Sequence, residues 1–230
     1  ENKVEMASSK TGVLALLVEL LRSDYEEAKS NATFIVWNLA VNSDNQRGMI
    51  ADESLGLLRV LVDIIDSPGS TEKMRSNACG AVLNFTICAE NETMMVEPRF
   101  GLIPALAKVL ERDTGKARDY ATSALSNLSF TSDNKRALTD EKYNLVSSLG
   151  KTMRETTGET RSQACQCICR LSTSVSNRPL MTSIEFEYNL LQAMVFVLRN
   201  EENPCEIRDH LCLTMSYLSD CIHNKPIMTM

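Results

Sequence analysis

Asparagine returns along this chain at a nearly constant interval. Asn2, Asn45, Asn91, Asn134, Asn177 and Asn224 are spaced 43, 46, 43, 43 and 47 residues apart, and four residues after each stands Met6, Met49, Met95, Leu138, Met181 or Met228. A period of this length confines the chain to architectures in which one supersecondary unit stacks on the next. No single unit can bury its own apolar face, so neighbours must supply the core. Asparagine is a good helix N-cap because its side-chain oxygen accepts from the first free amides. The expectation is a short first helix capped by each Asn and anchored by the Met or Leu.

The rest of the unit follows from spacing. Ten to twelve residues beyond each Asn come Gly12, Gly56, Gly101, Asn144 and Asn189, the two residue types that tolerate a left-handed turn between helices. A second helix is expected after each, in "VLALLVELL", "LLRVLVDII", "LIPALAKVL", "LVSSLGKTM" and "LLQAMVFVL", where apolar residues recur at helical spacing. Pro104 falls in a first turn, where its missing N–H is harmless. A polar linker precedes a third helix that aligns on Asn38, Asn84, Asn127, Arg170 and Tyr217. Leu39, Phe85, Leu128, Leu171 and Leu218 follow at +1, and the small residues Ala40, Thr86, Ser129, Ser172 and Ser219 at +2. The expected units are 2–44, 45–90, 91–133, 134–176 and 177–223, with the start of a further one. The chain opens without Met and stops at "NKPIMTM", so a fragment of a longer array is expected.

Composition narrows the function classes. Only 9 glycines and 5% aromatic residues speak against a sandwich or barrel and for an all-α chain. A net charge of −6 argues against direct nucleic-acid binding. The longest apolar run, Val13 to Leu21, is broken by Glu19 and is too short for membrane insertion. The eight cysteines are too sparse for a disulfide scaffold and read as reduced thiols packed as small hydrophobes, Cys79, Cys165, Cys167, Cys169 and Cys212 among them. The C-x-C-x-C run at Cys165–Cys169 spreads thiols over two helix faces, and His210, Cys212, Cys221 and His223 do not converge from one helix, so no metal site is expected. With two histidines and no phosphate-binding glycine motif, no enzyme activity and no cofactor are expected.

The paired third-helix residues Asn38–Leu39, Asn84–Phe85 and Asn127–Leu128, the Asn and hydrophobic residue that follow, and the mid-unit Gly make the chain resemble the armadillo repeat family across nearly its whole length. The resemblance implies a right-handed superhelical solenoid of three-helix repeats whose third helices line a concave groove. It also implies that the groove binds an extended peptide or partner segment, with third-helix Asn side chains bonding the guest backbone. Importin-like members carry Trp four residues before that Asn. Here those positions are Phe34, Gly80, Ser123, Gln166 and Leu213, which speaks against an import receptor for basic signals.

The candidate groove is therefore Asn38, Asn84, Asn127, Arg170 and Tyr217, flanked by Phe34, Trp37, Ser123 and Gln166. Nine residues before the ladder run Lys29, Arg75, Arg118, Arg161 and Arg208. They form either a basic edge for acidic or phosphorylated peptides or a set of pairs with nearby acids such as Glu26, Glu72, Glu159 and Glu206. The expected setting is cytoplasmic, with the nucleus also open. Two rivals to the peptide scaffold stay open: the substrate-recruiting part of a larger enzyme such as a ubiquitin ligase, and an architectural platform using repeat ends or the convex face.

Overall fold

A computed structural model describes residues 3, 7, 11–182, 190–224 and 228. The expectations for Asn2, Met6 and Asn189 lie outside the described residues. The described residues are all-α, without a strand. The second helices are α1 (Val13–Arg22), α4 (Leu57–Asp66), α7 (Leu102–Arg112), α10 (Leu145–Glu155) and α13 (Leu190–Leu198). The third helices are α2 (Glu26–Ala40), α5 (Glu72–Phe85), α8 (Lys116–Leu128), α11 (Gly158–Ser172) and α14 (Cys205–Ser219). Between them stand the short first helices α3 (Ser43–Ala51), α6 (Ala89–Met95), α9 (Asn134–Leu138) and α12 (Arg178–Met181). Second helices pack on second helices and third on third, making two layers with the apolar core between them.

The second helices form because their apolar residues fall on one stripe. Leu57, Leu58, Leu61, Ile64 and Ile65 of α4 are buried, as are Leu102, Ile103, Leu106, Val109 and Leu110 of α7. Each burial removes a side chain from water at a gain of roughly 1.5–3 kcal/mol. The chain enters these helices through a left-handed residue: Gly12, Gly56, Gly101 and Asn144 have φ of 69°, 66°, 70° and 52°. Met49, Met95, Leu138 and Met181 are fully buried contacts of the first helices.

Among the described residues, no recurring asparagine caps a helix with its side chain. Asn45 and Asn91 stand inside α3 and α6, and the cap of α3 is Asn42, whose side chain accepts from the Asp44 amide at 2.8 Å. Asn45, Asn91, Asn134, Asn177 and Asn224 are instead buried, and each uses both Nδ2 hydrogens. One goes to a last-turn carbonyl of the preceding third helix: Leu39, Phe85, Leu128, Leu171 or Leu218, at 2.9–3.2 Å. The other goes to a carbonyl one repeat back: Lys3, Gln46, Glu92, Lys135 or Arg178, at 2.9–3.2 Å. Capping needs the amide oxygen as acceptor, whereas here the nitrogen is wanted as a double donor. The oxygens of Asn134 and Asn177 find no partner among the described residues. Helix ends leave four carbonyls without intrahelical donors. This ladder serves one such group per repeat, and it supports first helices as short as four or five residues.

Removing the ladder's donor should therefore cost stability. Asn91→Ala removes one hydrogen bond from each of the carbonyls of Gln46 and Phe85 and should destabilise by about 2–3 kcal/mol. Asn91→Asp should cost more, because it sets an acceptor against two acceptors. Urea unfolding would measure both, and an Asp variant as stable as the native chain would contradict the assignment.

Candidate functional site

The third-helix layer carries the expected ladder, but its rungs are not equivalent. Asn127 Nδ2 donates to Thr86 Oγ1 at 3.0 Å, tying α8 to the end of α5. The equivalent residue one repeat earlier is Ala40, which has no hydroxyl to receive Asn84. The Asn84 carboxamide has no partner among the described residues, and its Nδ2 is closed off from water. Asn38 is partly exposed and bonds no described residue. Arg170 Nη1 is held by Ser126, at 2.6 Å to its carbonyl and 3.0 Å to its hydroxyl, and the guanidinium lies over the Phe130 ring at 5.3 Å. Gln166 Oε1 accepts from the Ser126 hydroxyl at 3.0 Å, and Ser123 is partly buried beside them on the same layer. Tyr217 stands apart, its ring facing the Arg178 guanidinium at 5.4 Å.

Trp37 organises the amino-terminal half of this face. A Cβ on Gly80 would lie 2.7 Å from the Trp37 Nε1, so the indole of α2 rests directly on the bare backbone of α5. Its ring packs edge-on against Phe34 at 6.0 Å and tilted against Tyr120 at 5.7 Å. Three successive third helices thus share one aromatic run. Tyr120 was not among the expected site residues. Its only signal is its place seven residues, two helical turns, before Asn127.

Beside the indole is a cleft of roughly 320 Å³ lined by Trp37, Glu72, Lys73, Ser76, Asn77 and Lys116. A second cleft, of roughly 260 Å³, lies at the carboxyl ends of the third helices, where Asn127 and Arg170 meet the exposed Ile87 and Phe130.

The expected basic edge is largely turned inward. Arg75 bonds Asp113 through Nε and Nη2 and the Ser70 carbonyl through Nη1. Arg118 bonds the Asp113 carbonyl at 2.6 Å and Glu155 at 3.0 Å, and Arg161 reaches Asn203 at 2.8 Å. Arg208 donates to the Glu201 carbonyl at 2.6 Å. Arg75, Arg118 and Arg161 each reach the linker of the following repeat, so their partners are not Glu26, Glu72, Glu159 or Glu206. Lys29 forms no ion pair among the described residues. Arg118 and Arg161 are buried; the guanidinium of Arg118 serves two repeats at once with its fork of donors, while the Nε of Arg161 has no partner among the described residues.

The cysteines divide by depth. Burial pushes the thiols of Cys79, Cys165 and Cys167 up to about 12, so they stay protonated as small core residues. Cys212 is exposed, contrary to its apparent place in an apolar pattern, because it points away from Leu211 and Leu218, which are buried. No three described His, Cys, Asp or Glu residues stand close enough to share a metal ion. No described helix is long and apolar enough to cross a membrane.

No protein-family model matches the sequence, and no curated protein matches it. Solved structures do. A computationally designed armadillo repeat protein for modular peptide recognition superposes with a TM-score of 0.76 at 20% identity, covering 94% of this chain and 90% of that one. A designed armadillo repeat protein in complex with the peptide (KR)4 superposes at 0.73 with 19% identity, over the same shares of the two chains. The chain therefore has the armadillo-repeat fold, a right-handed superhelical solenoid.

The contact between Trp37 and Gly80 gives a direct check. Gly80→Ala should expel the indole, shift the emission of the chain's single tryptophan to the red, and cost about 1–3 kcal/mol. An unchanged spectrum would place Trp37 elsewhere.

Proposed function

We propose that the chain is a non-enzymatic interaction module that grips an extended partner segment across its third helices. Asn84 carries this reading. A carboxamide with a water-excluded, unpartnered nitrogen costs about 1–3 kcal/mol, and a guest peptide group removes that cost. A half-turn of the amide exchanges nitrogen and oxygen, which turns the enclosed nitrogen outward to a guest carbonyl. Packed helices stand about 8–10 Å apart. Successive rungs would then meet roughly every third residue of an extended chain rising about 3.3 Å per residue.

Trp37, Phe34 and Tyr120 supply the apolar wall beside Asn84, and Asn38 extends the ladder toward α2. Asn127 and Arg170 already have internal partners, so they act on a guest only by exchanging those bonds. The designed neighbours support a peptide as the partner class. The absence of Trp at the positions occupied by Phe34, Gly80, Ser123, Gln166 and Leu213 sets this groove apart from one lined by tryptophan slots.

The two asparagines should separate in experiment. Peptides selected from a random displayed library on the native chain should bind Asn84→Ala about tenfold more weakly, with unfolding stability unchanged or slightly raised. Asn127→Ala should lose about 1 kcal/mol of stability by cutting the bond to Thr86. Equal binding to native and Asn84→Ala chains would remove Asn84 from the groove.

A further inference from the structure

We infer that the cleft beside Trp37 is an anion subsite, which takes a carboxylate or phosphate carried by the guest segment. The inference rests on the groove reading and adds the chemistry of one guest position.

Asn77 is the first observation. Its side chain is 5% exposed, and its Nδ2 is buried without a partner among the described residues. It lines the cleft, and no described contact explains a polar residue there. A buried amide in that state calls for an acceptor.

The second observation is charge. Lys73 and Lys116 stand on the rim, on α5 and α8, and neither forms an ion pair or side-chain hydrogen bond among the described residues. The one carboxylate in the cleft is drawn aside. Glu72 Oε1 lies 3.6 Å from where a Cβ on Gly115 would be, beside the start of α8, which has no side-chain cap. A carboxylate is favoured there because the free amides of a helix start carry partial positive charge. Two cations and the Ser76 hydroxyl thus share the cleft with a single carboxylate, which leaves one positive charge in excess.

The third is position. Gly80, roofed by Trp37, lies between Asn77 and Asn84 on α5. Seven helical residues span about 10 Å, measured along α5 and so across the run of the guest. The anion should therefore be carried on a side chain that reaches along α5 from a guest position near the one held by Asn84. The indole walls the cleft on one side, which excludes water there and strengthens the attraction.

The test runs one displayed random-peptide library in parallel on the native chain and on Lys73→Glu/Lys116→Glu. The native chain should enrich Asp or Glu at one fixed position, and the charge-reversed chain should enrich Lys or Arg there. The best native peptide is then made with that residue as Glu, Gln or phosphoserine and titrated against Trp37 fluorescence. Gln should bind roughly fivefold more weakly than Glu, and the difference should shrink as salt is raised. Phosphoserine tighter than Glu assigns the site to phosphate; Glu tighter assigns it to carboxylate. Selection of the same residues by both chains overturns the subsite and leaves the groove standing. Recovery of no peptide by the native chain overturns both.

Discussion

The structure depends on one buried amide used five times over. Each of Asn45, Asn91, Asn134, Asn177 and Asn224 joins the end of the preceding third helix to a first-helix carbonyl one repeat back. Much of the remaining contact between stacked repeats is apolar, which is non-directional and tolerates sliding. A pair of hydrogen bonds to fixed carbonyls does not. The ladder sets the register between neighbours and lets the first helix shrink from nine residues in α3 to four in α12 without losing its place.

With register fixed from within, the third-helix layer is free to vary. Three of the arginines in the linker edge also bridge repeats: Arg75, Arg118 and Arg161 reach Asp113, Glu155 and Asn203 of the following repeat. The ladder on the third-helix face is the part that does not repeat. Thr86 satisfies Asn127, Ser126 satisfies Arg170, and Ala40 leaves Asn84 unsatisfied. The two buried carboxamide nitrogens without a partner among the described residues, those of Asn77 and Asn84, flank the Gly80 on which Trp37 rests, and the proposed binding face is centred there.

Much of this was legible in the sequence. The period, the left-handed corners at Gly12, Gly56, Gly101 and Asn144, the amphipathic second helices and the buried Met series all follow from local spacing, because each depends on residues within a turn or two. The misreadings share a different cause. Asn45 and its equivalents look like caps because an asparagine before a helix usually is one. Their actual partners lie six residues back and one repeat away, and residue type does not reveal whether the amide donates or accepts. Arg75 pairs with Asp113 rather than with the nearer Glu72 because stacking brings the next linker closer than the neighbouring side chain. Tyr120 and Asn77 gave no signal of their own. They matter only because Gly80 lets Trp37 cross to them, a contact between residues 43 apart.

The central claim is that Asn84 is the open rung while the repeating asparagines are structural. Side-chain amide resonances in a nitrogen-15 NMR titration with a selected peptide would test it most directly. The account predicts that the Asn84 NH2 pair moves strongly on binding, together with the Trp37 indole N–H, while those of Asn45, Asn91, Asn134 and Asn177 stay in place. Binding that shifts residues of the second-helix layer and leaves Asn84 unmoved would contradict it.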